Sequence, residues 1–218
     1  MSEGNEPTPL KLAGKQGYHH GNLRAALLEA GRALLRDKGL AAISLRAVAK
    51  AAGVSHAAPY RHFRDKEHML ACVAEAGYEQ LSDAILAAAG VEDPAEQIQV
   101  AMVGYLRFAL ANRELHHLMF GGLLDQGETA LVLQDARLKT FGALRGIVDA
   151  GIKSGRFKAV NAREATLTLW SLMHGFALLM STGQLQAGGS EEQIEMMARG
   201  QASLMLDGLL KRRSTLGS

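Results

Sequence analysis

The chain has 218 residues, with 24 Lys and Arg against 22 Asp and Glu, 48% apolar residues, four prolines and one cysteine. That length holds one large domain or two small ones, and an Ala- and Leu-rich chain this poor in proline predicts an all-α protein with a sizeable core. A lone Cys72 excludes an intrachain disulfide, and no apolar run is long enough for a transmembrane helix.

Charge is unevenly spread. Residues 1–66 carry eleven Lys and Arg against five Asp and Glu, and the remainder carries thirteen against seventeen. A basic head on an acidic body suits a polyanion-binding module joined to one that does not touch DNA, although a solvated basic face has the same composition.

In chain order, residues 1–18 read as a disordered basic arm, an inert tail in the plainer reading and, in the alternative, one whose Lys11 and Lys15 touch a DNA backbone or minor groove. They lack the basic and apolar regions of a signal peptide, and a cytoplasmic location is expected. His19 to Lys38 forms the first predicted helix. Asn22 caps it, Leu23, Leu27, Ala30 and Leu34 make its apolar stripe, and Gly39 ends it. Arg24, near its start, is a candidate phosphate contact, as are His19 and His20, for which plain solvent exposure is the default reading.

Ser44 then caps a helix whose Leu45, Val48, Ala49 and Ala52 share one face, with Gly53 as its left-handed terminator. Ser55 is placed to cap a second short helix reaching Phe63. Two short helices about a glycine-containing turn have the form of a helix-turn-helix, against the plainer alternative of a helical hairpin with a basic surface. Pro59 has no N–H to donate, so the second helix is expected to start late or distorted.

The pattern Ser44-x-Arg46-x-Val48-Ala49-x-x-Ala52-Gly53-Val54-Ser55-x4-Tyr60-x-His62-Phe63-x-x-Lys66-Glu67 resembles the DNA-binding half of the TetR family of bacterial transcriptional regulators. The resemblance implies that Tyr60, Arg61, His62 and Lys66 hold phosphates. It places Arg46, Ser55, His56, Ala57 and Ala58 toward base edges, with the contacts at Ala57 and Ala58 depending on Pro59.

Asp65 caps a long helix from Lys66 to about Ala89, in which Leu70, Val73, Gly77 and Leu81 run into the body as a lever. At its first turn, Lys66, backbone N–H groups and the helix dipole converge on one candidate anion site. Further helices are predicted from Asp93-Pro94 to Ala111, from Glu114 to Leu123, and through a long segment ending at Ser154-Gly155. Capping boxes at Asn161/Glu164 and Ser190/Gln193 open the last two, to about Thr182 and Lys211, across a linker with Gly183, Gly188 and Gly189. The domain expectation is 1–18 arm, 19–66 helix-turn-helix and 67–213 body.

The last two helices carry Gly175, Gly200 and Gly208, which permit close helix approach. Homodimerisation through them is expected, the alternative being that both faces are filled within the monomer; Arg199 and Gln201 are expected in solvent. Trp170 and His174 lie four apart on one helical face, and Trp-x-x-x-His-Gly resembles the signature of one TetR C-terminal subfamily. With Met102, Tyr105, Phe120, Phe141 and Leu144 they form the candidate ligand site, although each taken singly also reads as core. His174 serves equally as a pocket wall or as a helix-fixing hydrogen bond.

His116, His117 and His174 lack metal-ligand spacing, Cys72 reads as a small apolar residue, and no catalytic or nucleotide-binding motif is present. Neither cofactor, metal nor membrane partner is expected. The reading is a dimeric, ligand-responsive DNA-binding regulator, a repressor released from a palindromic operator by a small apolar or amphipathic molecule. The alternatives are a constitutive DNA binder with a filled, purely dimerising body, and a helical adaptor with a vestigial head.

Overall fold

The computed structural model describes residues 23–185 and 190–210, and their regular structure is helical apart from one isolated bridge between Phe157 and Leu210. The arm, His19, His20, Asn22, Gly188, Gly189 and Lys211 onward lie outside the described residues. The helices are α1 (Leu23–Lys38), α2 (Leu45–Ala51), α3 (Lys66–Leu86), α4 (Pro94–Ala111), α5 (Arg113–Phe120), α6 (Gly127–Lys153), α7 (Ala162–Ser181) and α8 (Glu191–Leu209).

Most helix starts follow from one side chain. Ser44 Oγ accepts from Ala47 N, Asp65 from His68 N, Asp93 from Ala95 N, and Asn161 from Arg163 N and Glu164 N. Each such cap contributes about 1 kcal/mol. The reciprocal box forms at Ser190 and Gln193, whereas at Asn161 only the half supplied by the asparagine forms. The lever helix ends as an α-helix at Leu86 and tightens into a 3-10 turn over Ala87–Gly90, and α5 stops at Phe120 rather than Leu123.

In α1 the buried line is Leu27, Gly31 and Leu35. The expected stripe is therefore rotated: Leu23, Ala30 and Leu34 are only half-buried at its edge. These residues pack with Ile43, Leu45, Val48 and Phe63 on Met69, Leu70 and Val73 of α3. From there one apolar core continues along α3 through Tyr78, Leu81 and Ile85 into the body. The head has no separate core, and α3 belongs to both parts.

Around α4 the body packs α3, α5, α6, α7 and α8. At Gly104 a Cβ would lie 2.5 Å from the Ala84 carbonyl oxygen, so only glycine lets α4 approach α3 this closely. Ala198 and Ala202 do similar service where α8 meets α4. Arg199, expected in solvent, instead lies half-buried on that seam, donating to Glu195 and to Gln99 of α4, while Gln201 is half-buried. No described helix is long and apolar enough to cross a membrane.

Candidate DNA interface and effector recess

Helix α2 ends in a glycine-dependent turn. Gly53 adopts the left-handed conformation at φ 69, its N donates to Lys50 O at 3.2 Å, and Val54 N donates to Ala49 O at 3.0 Å. These two bonds make a Schellman closure, which any residue with a Cβ would strain. The chain then turns through Ser55–Ala58 into a 3-10 turn at Pro59–Arg61, not into a regular helix from Ser55 to Phe63.

Proline breaks the helix. An α-helix here needs an N–H at position 59 to reach Ser55 O, and Pro59 has none. Ala58 N takes that carbonyl at 3.0 Å instead, and His62 N and Phe63 N both donate to Pro59 O at 2.9 Å. The Ser55 hydroxyl caps no described helix. Pro59 and Phe63 are buried and anchor the segment, which leaves Ser55, His56, Ala57, Tyr60 and Arg61 exposed, with Ala58 and His62 half-exposed. Tyr60 is 57% exposed, an unusual position for a large ring with no folding role.

Arg46 and Lys50 are exposed on α2, and Lys66 opens α3 half-exposed. Asp65 already occupies one N-terminal donor of α3, bonding His68 N at 2.7 Å. Lys66 therefore works beside a fixed carboxylate rather than at an empty helix end. Arg24 is exposed at the start of α1, donates to Cys72 Sγ at 3.3 Å and lies 5.9 Å over the Phe63 ring. Cys72 is buried, and burial pushes its thiol pKa up. Arg64, between the recognition turn and α3, pairs with Glu128 in the first turn of α6. That ion pair ties the head directly to the body.

In the body, Trp170 and His174 do share a face but do different things. His174 Nδ1 lies 2.9 Å from Tyr105 Oη, and His116 Nε2 lies 3.3 Å from the same oxygen. One hydroxyl thus donates to one imidazole and accepts from the other, joining α4, α5 and α7. The imidazoles stack with centroids 5.2 Å apart. Burial pushes His116 down to about 4, helped by the neighbouring His174 and His117, and burial also lowers His174. Burial thus favours the neutral form of both rings, and the ring that accepts from the Tyr105 hydroxyl is unprotonated at that nitrogen. His116 in this role was not foreseen from sequence, because its partner is eleven residues away on another helix.

Trp170, one turn earlier on α7, reaches open space. With Phe120 and Phe141 it walls a recess of about 380 Å³, completed by Met119, Tyr78, Asp125 and Arg137. The Trp170 ring packs edge-on to Tyr105 at 5.6 Å and lies 6.1 Å from both Phe120 and Phe141. Of the residues expected around a ligand, Phe120, Phe141 and Trp170 meet at this wall. Tyr105 stands one layer behind it, His174 is half-buried on that layer, and Met102 and Leu144 are enclosed in the core.

The polar rim of the recess was not anticipated. Arg137 Nε donates to Tyr78 Oη at 3.2 Å, Tyr78 Oη donates to Met119 O at 2.8 Å, and Arg137 also pairs with Asp125. A second cleft of about 290 Å³ separates α1 from the α4–α5 corner, but Glu29, Arg32, Arg36, Arg113 and Glu114 make its walls strongly polar. The aromatic recess has the ordinary make-up of a small-molecule site.

A helix-turn-helix head fused through α3 to a helical body defines a class of two-part DNA-binding regulators, and sequence comparison narrows it. Residues 27–73 match the family described as bacterial regulatory proteins, tetR family, and residues 98–204 match the tetracyclin repressor-like C-terminal domain. A protein of unknown function from Rhodococcus sp. RHA1 is 31% identical, with 90% of this chain and 100% of that one covered, at a TM-score of 0.78. The TetR family regulator PfmR from Thermus thermophilus is 28% identical, with 85% and 99% covered, at 0.65. FadR from Bacillus subtilis, in complex with stearoyl-CoA, shares the fold at 15% identity and 0.70, with 84% and 98% covered. No curated protein matches the chain in sequence. The chain belongs to the TetR family of bacterial transcriptional regulators.

Proposed function

We propose that the protein is a homodimeric regulator whose recognition turns enter successive major grooves of a palindromic operator and whose affinity for it is set by a small molecule in the aromatic recess. The single observation that carries this reading is a pair of ion pairs where the α5–α6 connection runs into α6. Asp125 holds Arg137 on the recess rim, and three residues later Glu128 holds Arg64 beside the recognition turn. Tyr78, the other rim residue, sits on α3, the helix that Lys66 begins. A ligand that moves the rim therefore acts on the head by two routes. It changes operator affinity only if it binds the two arrangements unequally.

In this reading Arg46, Ser55, His56, Ala57 and Ala58 face base edges, and Tyr60, Arg61, His62 and Lys66 hold phosphates. Dimerisation uses α7 and α8. Leu167 and Leu178 on α7, and Met196 and Leu204 on α8, are 44–71% exposed, and a Cβ at Gly175, Gly200 or Gly208 would meet nothing within 4 Å. Apolar, glycine-notched faces open on a monomer are the form of a helix–helix seam between copies. Repression is the sense of regulation proposed, with release by ligand, in a cytoplasmic protein.

The test is duplex binding by the purified protein with and without a recess ligand. Salt-sensitive binding that weakens on ligand saturation supports the reading, and operator affinity unchanged at saturation defeats the ligand-responsive part. The shape of the recess favours a second reading, that of a constitutive DNA binder whose body only dimerises: it is open to solvent on one side, not enclosed.

A further inference from the structure

Among the residues lining the recess one is cationic, Arg137, and the group it holds in the resting structure is a carboxylate from the protein itself. Arg137 is fixed in place before any ligand arrives. Its Nε donates to Tyr78 Oη at 3.2 Å, its guanidinium carbon lies 5.7 Å over the Tyr78 ring, and Tyr78 is held by the Met119 carbonyl. Asp125, by contrast, is held loosely. Its side chain is 51% exposed, a single oxygen pairs with Arg137, and it sits in the short α5–α6 connection after Gly122, a residue at φ 82. An ion pair that exposed contributes about 1 kcal/mol or less, so it is replaced at little cost.

We infer that the recess takes an organic acid with an aromatic or otherwise apolar body, whose carboxylate replaces Asp125 on Arg137. This rests on the recess being the effector site, and it names the chemical class of the effector. An incoming carboxylate presents two oxygens to a guanidinium that is already oriented, and bidentate pairing of that kind outcompetes a one-oxygen contact. The body of the acid then lies against Phe120, Phe141 and Trp170, gaining burial that Asp125 has no means of providing. Two carboxylates on one guanidinium edge repel, so the acid and Asp125 exclude each other. A neutral molecule of the same shape leaves Asp125 in place. Expelling Asp125 frees the connection that leads into the first turn of α6, and with it the Glu128 contact to Arg64 of the head.

The experiment compares 4-butylbenzoate with 4-butylbenzyl alcohol on the full-length protein near neutral pH, by calorimetry and by quenching of Trp170, the single tryptophan. The acid is expected to bind at least about tenfold more tightly than the alcohol. Arg137→Gln removes that preference, so that acid and alcohol bind alike. Asp125→Asn, a substitution at an exposed side chain that spares folding, tightens acid binding several-fold and widens the preference for acid over alcohol. Equal binding of acid and alcohol, or weaker acid binding by Asp125→Asn, overturns the assignment while leaving the recess a ligand site. Failure of both probes to bind or to change Trp170 emission overturns the recess as the effector site as well.

Discussion

The recognition turn and the recess both carry polar side chains, but they hold them differently. On the turn, Ser55, His56, Tyr60 and Arg61 make no side-chain hydrogen bond to any described residue, and all four are exposed. In and behind the recess the polar groups are committed: Arg137 to Tyr78 and Asp125, Tyr78 to Met119, Tyr105 to His116 and His174. A surface meant for an outside partner keeps its donors free and leaves folding to the residues beneath it. In the recess the half-buried Arg137 already has a partner in the empty state, so a ligand enters by exchange.

The largest expected effect sharpens this contrast. Tyr105→Phe leaves two imidazoles facing a ring edge with no partner, which costs about 2–4 kcal/mol in urea unfolding, while Tyr60→Phe changes stability by less than about 0.5 kcal/mol. Comparable losses at the two positions would erase the distinction. Next in size is pH dependence. His116 is depressed to about 4 in the folded state, so the unfolded chain takes up its proton first as pH falls. Its contribution is fully present above the unfolded value near 6.5 and is lost as pH falls from there toward about 4, a decline of about 2–3 kcal/mol. Unfolding midpoints measured across that window should fall in the native protein and fall less in His116→Phe, compared each with its own value at neutral pH.

On the head, Lys66→Ala with Tyr60→Phe is expected to lower duplex affinity about tenfold at low salt and to reduce the salt slope by roughly one to two. Filter binding at several salt concentrations measures both. Unchanged affinity with lowered stability would place these residues in folding instead. The smallest effect concerns Ser82, whose buried hydroxyl on α3 has no partner among the described residues. Ser82→Ala should leave stability unchanged or raise it by up to about 1 kcal/mol, read from the same unfolding curves.

Local features were legible in the sequence. Ser44, Asp65, Asp93, Asn161 and Ser190 announce helix starts because a cap needs only the next few backbone N–H groups, and Gly53 announces a left-handed turn for a similar reason. Pro59 announces a delayed start, though not that the whole segment becomes linked turns. What depends on partners far along the chain was not legible. Arg137 lies 59 residues from Tyr78 and 12 from Asp125, and nothing in its neighbours marks it as different from any surface arginine on a long helix. Arg199 reads as solvated until α4 supplies Gln99. The four-residue spacing of Trp170 and His174 sets a common face, but which of them lines open space and which hydrogen-bonds Tyr105 is decided by α4 and α5.

The central claim, that paired recognition turns read a duplex at a spacing fixed by the helical body, is tested most directly by recovering bound duplexes from a random pool with the purified protein. The expected result is enrichment of two inverted half-sites, their centres about one helical turn apart or somewhat more, with binding that weakens as salt rises. A monomeric protein that enriches no duplex even at low salt would contradict it.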